Sequence, residues 1–181
     1  MNNAKSTNNI SIKFPFCIKD DHRQPDKSSC QSPEFKLHQN DMLGPTLALA
    51  NAGTFTVDNI TYSSREIKIS DPNDCLPQKL LWLDFGLITP FAPVVKRKDF
   101  RVYNCSGVGN NDKLYDEIDC LKGSSYTVIS VQHGGINMTD TSCKFLKNIS
   151  VPTSNNGYYV LSKYSSISLT WDEENHEPFG K

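Results

Sequence analysis

The sequence LALANAGTFTVDNITYSSREIKISDPNDC, residues 47–75, decides the fold, because apolar and polar residues alternate in it with the period of two typical of β-strands. The Asn-Ala-Gly sequence at residues 51–53 is typical of a hairpin loop. The alternation slips by one residue at residues 58–59, which predicts a β-bulge. The Asp-Pro-Asn-Asp sequence at residues 71–74 predicts a closing turn. We therefore predict a three-stranded antiparallel meander around which the rest of the chain packs.

Several other segments show the same period of two, so we predict an all-β protein. Strands are expected near residues 10–18, 46–50, 54–62, 66–70, 99–104, 126–132 and 166–171. Residues 144–151 and 158–163 are further candidates, whereas residues 79–85 fit either a helical turn or a buried strand. The predicted architecture is a set of antiparallel meanders packed as a disulfide-bonded, sandwich-like domain with little helix.

The length and charge of the chain limit its possible classes. A chain of 181 residues with a net charge of −1 fits one domain and argues against nucleic acid as a partner. No apolar run approaches the roughly 20 residues that a membrane helix needs. We expect a disordered segment at 1–9, a domain at 10–172 with halves at about 10–88 and 94–172, and a disordered acidic tail at 173–181.

Motifs that carry catalysis are not recognised in the sequence. It has no nucleophile elbow, no zinc-protease helix motif and no Gly-rich phosphate loop followed by Gly-Lys. We therefore expect neither an enzyme nor a cofactor.

The cysteines and sequons indicate an extracellular environment. The six cysteines are Cys17, Cys30, Cys75, Cys105, Cys120 and Cys143, and they include no CxxC pair, which favours disulfides over a metal site. The five N-glycosylation sequons begin at Asn9, Asn59, Asn104, Asn137 and Asn148. Together they predict an extracellular or cell-surface location. The first ten residues do not form a signal peptide, so we expect a fragment or a chain whose coding sequence lacks its first exon.

The densest positive cluster is the sequence KRKDFR at residues 96–101. It offers Lys96, Arg97, Lys98 and Arg101 as ligand-binding residues. Strand alternation places Lys96 and Lys98 on one face and Arg97 and Arg101 on the other. We favour the arginines, because a guanidinium can bind a carboxylate through two parallel hydrogen bonds. The alternative is a solvated strand edge whose lysines oppose aggregation.

Two weaker features have simpler structural interpretations. A second group of cations surrounds the Phe-Pro-Phe sequence at residues 14–16, and its members are Lys13, Lys19, His22 and Arg23. A solvated surface is the simpler interpretation of this group. The two tryptophans, Trp82 and Trp171, are expected in the core and not as platforms for sugar rings.

Seven short motifs follow one another in a fixed order along the chain. They are IKFPF at 12–16, CxxPxFxL at 30–37, FxVxxIxY at 55–62, IxDPxxCLP at 69–77, YNCS at 103–106, IDCL at 118–121 and LTWD at 169–172. This order resembles the galacturonan-binding extracellular domain of plant wall-associated receptor kinases. The resemblance is stronger to the version at the N-terminus of plant RING-H2 ubiquitin-ligase-like membrane proteins.

The resemblance implies an extracellular domain that binds acidic, pectin-like galacturonan of the plant cell wall. It gives this chain no catalytic role, because we recognise neither the RING nor the kinase module of these families in the sequence. The alternative is a structural or protein-interaction ectodomain that has lost carbohydrate binding.

The chain departs from the family pattern at its cysteines. Gln39 occupies the position of a family cysteine, and Cys17 is an additional one. These departures imply that Cys17 pairs with Cys30. The resemblance then leaves Cys75, Cys105, Cys120 and Cys143 to pair among themselves.

Overall fold

The structure is a computed structural model that describes residues 10–19, 30–88, 90–107, 115–132, 142–152 and 160–172. Its strands are β1 (Cys17–Lys19), β2 (Lys36–Asn40), β3 (Gly44–Leu49), β4 (Gly53–Thr61), β5 (Glu66–Ser70), β6 (Phe91–Pro93), β7 (Arg97–Cys105), β8 (Asp116–Glu117), β9 (Thr127–Gln132), β10 (Cys143–Pro152) and β11 (Ser166–Trp171). Helix α1 spans Leu76–Trp82, and single 3-10 turns span Pro33–Phe35, Asp119–Leu121 and Leu161–Lys163. The prediction of a mainly β protein with little helix is confirmed.

The predicted meander forms the centre of the first sheet, whose strand order is β1-β2-β3-β4-β5-β11-β6. Strands β3, β4 and β5 pair antiparallel, and their register shifts between Val57 and Asn59, so the predicted bulge is present. Strand β11 pairs antiparallel with both β5 and β6, whereas β1 pairs parallel with β2. The end of the chain therefore completes the sheet that its first half begins.

The second sheet has the strand order β10-β7-β9-β8. Its residues Phe100 and Ile149 are buried in the same apolar cluster as Phe55 and Ile69 of the first sheet. The main core thus lies between the two sheets, as a sandwich-like domain requires. A smaller cluster on the second sheet contains Tyr103, Cys105, Ile129 and Val131.

The predicted strand over residues 10–18 is wrong for most of its length. Within it, only Cys17 and Ile18 belong to a strand. The backbone N–H of Phe16 closes a turn onto the carbonyl of Lys13 at 2.9 Å, and the peptide bond before Pro15 is cis. The backbone of this segment forms a hydrogen bond with a side chain and not with a neighbouring strand. The Tyr62 hydroxyl accepts a hydrogen bond from Lys13 N–H at 2.7 Å. Apolar alternation here reflects burial without strand pairing.

Two further segments are not strands: one was a strand candidate, and the other fitted either a helical turn or a strand. Residues 161–163 of the candidate strand 158–163 form a 3-10 turn, and its residues 158–159 lie outside the described residues. The ambiguous apolar run after Cys75 is helical, since it overlaps α1. Leu76 and Leu80 lie four residues apart and are both buried, so one face of the helix packs on the core.

All six cysteines form disulfides in the pairs Cys17–Cys30, Cys75–Cys120 and Cys105–Cys143. Their Cα–Cα distances are 5.0, 5.8 and 4.0 Å, respectively. The first bridge is the one that the resemblance implied, and the other four cysteines pair among themselves. The buried carboxylate of Asp71 orients one of them, because it accepts a hydrogen bond from Cys75 N–H at 3.0 Å.

Helix α1 is also tied to the second sheet by a lysine. The Nζ of Lys147, on β10, donates to the carbonyls of Leu81 and Leu83 at 2.8 and 3.3 Å. A cation at the C-terminal end of a helix is favoured by the helix dipole and by the carbonyls that the last turn leaves unpaired. Lys147 therefore joins β10 to the end of α1.

Candidate functional site

The four candidate cations lie at the start of β7, but they do not form one surface. Lys96 precedes the strand and is exposed, and Arg97 is the first strand residue and is also exposed. Lys98 and Arg101 are half-buried. Because side chains alternate along a strand, Arg97 and Arg101 share one face and Lys98 lies on the other.

Arg97 and Arg101 lie on the outward face of the second sheet. Phe100, which points the opposite way, pairs with Ile149, and both are buried in the main core. Arg101 itself lies opposite Asn148 of β10 and opposite Val131 of β9. We call the outward surface formed by Arg97, Asp99, Arg101, Asn148 and Ser150 the arginine face.

Asp99 places a negative charge between the two arginines of the arginine face. Its carboxylate accepts a hydrogen bond from the hydroxyl of Ser150, its cross-strand partner. The row from Arg97 to Arg101 therefore carries one net positive charge from these three residues.

The two arginine Cα atoms lie about 13 Å apart at a rise of about 3.3 Å per residue. That separation exceeds the Debye length of about 8 Å at physiological salt, so each arginine acts as a separate point of attachment.

Of the second group of cations, Lys13 alone has a side chain among the described residues. Lys13 is exposed in the segment that precedes β1. His22, Arg23 and the side chain of Lys19 lie outside the described residues. On the second half of the chain, Lys122 is engaged by Asp119 at 2.9 Å, and this hydrogen bond raises the pKa of Lys122 and lowers the pKa of Asp119. Lys122 is thus already partnered.

The two tryptophans have opposite environments, so the expectation of burial is wrong for Trp82. The side chain of Trp82 is 67% exposed, whereas that of Trp171 is 2% exposed. The period of α1 contains the signal that the sequence interpretation missed. Leu76, Leu80 and Leu83 form an apolar stripe at the spacing of one helix face, and Trp82 lies off that stripe.

Trp171 belongs to an aromatic cluster that joins the two ends of the domain. The ring of Phe16 lies 5.0 Å from that of Trp171, edge to face, and 5.3 Å from that of Phe35. Tyr62 and Phe91 complete the cluster at 6.1 Å from Trp171 and 5.5 Å from Phe35. Edge-to-face pairs at such distances stabilise a core beyond the effect of area burial.

Large apolar side chains are exposed on α1, on the segment that follows it and on β10. Besides Trp82, they are Leu87, Phe145 and Leu146, which are 55%, 49% and 41% exposed. The bond from Lys147 to the carbonyl of Leu81 brings the two elements together. This junction is the second surface of the domain that could contact a partner.

Neither a membrane-spanning helix nor a metal cluster is found in the described ranges. Their helix lacks the length and hydrophobicity that crossing a membrane requires. Their His, Cys, Asp and Glu side chains form no group of three that could hold a metal ion.

Comparison with known proteins identifies what the first sheet resembles. Residues 2–71 match the family described as wall-associated receptor kinase galacturonan-binding. The chain resembles that galacturonan-binding domain. The resemblance inferred from the ordered motifs is therefore confirmed.

Three proteins of Arabidopsis thaliana are similar to this chain over most of the chain's length. They are named as RING-H2 finger proteins ATL21A, ATL22 and ATL21B. Their sequences are 27%, 28% and 28% identical to it over 170, 149 and 174 residues. These alignments cover 90%, 82% and 92% of this chain but 44%, 38% and 43% of the relatives. The chain thus spans about two fifths of their length. No solved structure gives a significant match.

The family match and the positive cluster lie in different parts of the fold. The matched residues 2–71 include β1 to β5 and thus most of the first sheet. The arginine face belongs to β7 and β10 of the second sheet. A binding experiment therefore has to distinguish the two sheets.

Proposed function

We propose that this chain is an extracellular domain that binds acidic, pectin-like galacturonan of the plant cell wall. The match of residues 2–71 to the galacturonan-binding family is the observation that carries the proposal. The three disulfides support it, because such bonds persist in oxidising compartments outside the cytosol. The role is binding and not catalysis, and the partner is a polysaccharide and not a nucleic acid.

We place the polysaccharide on the arginine face. Arg97 and Arg101 project to the same side, so one extended polyuronate chain can meet both guanidinium groups. Exposed ion pairs contribute only about 0–1 kcal/mol each, so affinity needs several contacts along the polymer. Binding should accordingly weaken as salt screens these contacts.

The test is titration calorimetry with oligogalacturonides at low and high salt. Arg97→Ala combined with Arg101→Ala should reduce affinity at least tenfold at low salt. Lys13→Ala combined with Lys68→Ala is the matched control, because both lysines are exposed and their loss lowers the net charge equally. Oligosaccharides with reduced, neutral carboxyl groups should not bind.

The two double variants separate three outcomes. Loss of binding only in the arginine variant supports the arginine face. Loss only in the lysine variant moves the site to the first sheet and keeps the function. If the chain of native sequence, prepared without glycans, shows no detectable binding to oligogalacturonide, the proposed function is refuted.

Asp99 provides a gain-of-binding test of the same surface. Asp99→Asn removes the negative charge between the arginines, and the amide oxygen can still accept the Ser150 hydroxyl. The affinity for oligogalacturonide should rise about threefold at low salt and change little at high salt, as calorimetry would show. Unchanged affinity at low salt would mean that the polymer does not pass between the two arginines.

A second candidate function is a protein-interaction ectodomain, and the exposed apolar junction of α1 and β10 favours it. Trp82 and Leu146 are large apolar side chains that a carbohydrate site for an acidic polymer does not require. This candidate predicts a chain that binds no uronic oligosaccharide and whose association state, measured by sedimentation, changes with Trp82→Ala plus Leu146→Ala.

A further inference from the structure

The exposed sequons in the described residues lie on different sheets. Asn59 is exposed on β4 of the first sheet, opposite Lys68, and Asn148 is exposed on β10 of the second. Asn104 is half-buried on β7, which has β10 and β9 on its two sides. Asn9 and Asn137 lie outside the described residues. The structure thus favours Asn59 and Asn148 as acceptors of a glycan.

Asn148 is a direct neighbour of the proposed binding site. It lies opposite Arg101 in the register of β10 and β7. The next residue, Ile149, is buried in the main core, so Asn148 points outward with Arg101. Directly opposite residues in an antiparallel pair have Cβ atoms about 4.5–5.5 Å apart. The first sugar on Asn148 Nδ2 would therefore stand beside the guanidinium of Arg101.

We propose that Asn148 carries an N-linked glycan that covers the arginine face, so that its occupancy controls binding of acidic polysaccharide. The control of binding rests on the function proposed above. A chain without this glycan presents Arg97 and Arg101 to the polymer, and a chain with it excludes the polymer from Arg101. The glycan also shields β10, which stands at one end of the described strand order β10-β7-β9-β8 and exposes Phe145 and Leu146.

The modification needs a lipid-pyrophosphate-linked oligosaccharide as the donor. The bond between the first sugar carbon and the pyrophosphate oxygen breaks, and a bond from that carbon to Asn148 Nδ2 forms. The amide nitrogen loses one proton, and the lipid pyrophosphate leaves with the bonding electrons. In the folded domain the Ser150 hydroxyl of this sequon is bonded to Asp99 and Ile149 is buried, so transfer must precede the pairing of β10 with β7.

The sequon at Asn59 supplies a matched control. It is equally a strand residue with an exposed side chain, and its Nδ2 donates to Thr61 Oγ1 at 3.0 Å. A glycan there stands on the first sheet, away from β7 and β10. Removing it should change glycan mass without changing the arginine face.

The experiment compares the unmodified sequence, Asn148→Gln and Asn59→Gln, each secreted from a eukaryotic host. Occupancy is read by mass spectrometry of glycopeptides, and oligogalacturonide affinity is read by calorimetry at low salt. Substitution of Ser150 is avoided, because it would also remove the bond to Asp99. Enzymatic release that turns Asn148 into Asp is avoided too, because it would add a negative charge beside Arg101.

We expect an occupied Asn148, an affinity at least tenfold higher for Asn148→Gln than for the unmodified protein, and no change for Asn59→Gln. An unoccupied Asn148, or an occupied protein that binds as tightly as Asn148→Gln, overturns the inference and leaves the proposed function standing. Absence of binding in all three proteins overturns both. Occupancy is measured separately, so the two failures are distinguishable.

Discussion

Each of the two sheets of this domain is stabilised by a different kind of interaction. The first sheet has an aromatic cluster of Phe16, Phe35, Tyr62, Phe91 and Trp171, in which rings from both ends of the described chain pack edge to face. The second sheet has mostly aliphatic core residues and is secured by discrete links. Those links are the Cys105–Cys143 and Cys75–Cys120 bridges and the bonds from Lys147 to the end of α1. The first sheet should therefore be sensitive to side-chain volume, and the second to the loss of single links.

The largest expected effect tests the aromatic cluster. Trp171→Ala should lower the free energy of unfolding by about 4 kcal/mol, because a fully buried indole is replaced by a cavity. Trp82→Ala is the matched control and should change it by less than about 0.5 kcal/mol, since that side chain is mostly exposed. Denaturant unfolding measures both. Equal effects would show that packing does not distinguish the first sheet.

The next effect concerns the disulfide within the second sheet. Replacing Cys105 and Cys143 by serine should cost about 3–4 kcal/mol, because the bridge closes a loop with a sequence separation of 38. Replacing Cys17 and Cys30, separated by 13, should cost about 1 kcal/mol less by loop entropy. Denaturant unfolding of the two double variants ranks the bridges. The opposite ranking would contradict the dependence of the second sheet on its links.

A smaller effect is expected at the link between β10 and α1. Lys147→Met keeps the length of the side chain and removes its charge and its bonds to Leu81 and Leu83. We expect a loss of about 1.5 kcal/mol in unfolding free energy, the scale of a hydrogen bond from a charged donor. Lys144→Met, at an exposed cation of the same strand, should be nearly neutral. A neutral Lys147→Met would show that this link does not secure the helix.

The smallest effect concerns the hydroxyl that holds the N-terminal segment to the first sheet. Tyr62→Phe should cost about 1 kcal/mol near neutral pH, because the bond from Lys13 N–H is lost. Burial raises the pKa of Tyr62 above its usual value of 10.0, so the folded state favours the protonated hydroxyl. Its contribution is thus complete below pH 10 and is lost as pH rises through the higher folded pKa. Unfolding curves from neutral to alkaline pH should show the unfolding free energies of the unmodified protein and Tyr62→Phe converging. A difference in unfolding free energy that persists at alkaline pH would contradict this role.

The sequence predicts the fold well where a strand has one buried face. Residues 47 to 70 alternate as they do because Leu47, Phe55 and Ile69 all face the main core. Alternation reports which side chains are buried, but it does not report what the backbone bonds to. Residues 10–16 alternate equally well, and their backbone meets Tyr62 and a turn. The order of the strands depends on pairings between distant segments, which local patterns do not contain.

The candidate site is predictable only in part for the same reason. Alternation suffices to place Arg97 and Arg101 on one side of a strand. It cannot show that Asn148 lies opposite Arg101 or that Ser150 binds Asp99, because these neighbours come from a strand about 50 residues later and depend on the register after a bulge. Trp82 shows a related limit, since its exposure follows from the helical state of a short apolar run that also fits a strand.

The place of β11 in the first sheet has a consequence for how the chain is made. This strand occupies residues 166–171 but pairs with β5, at residues 66–70. During translation, β5 leaves the ribosome about 100 residues before its partner, a delay of about 5–20 s at ordinary rates of synthesis. Over that interval the backbone donors and acceptors of β5 on the edge away from β4 are open to any other nascent strand. Late closure of the first sheet therefore leaves this edge of β5 unprotected in the newborn chain until β11 is made.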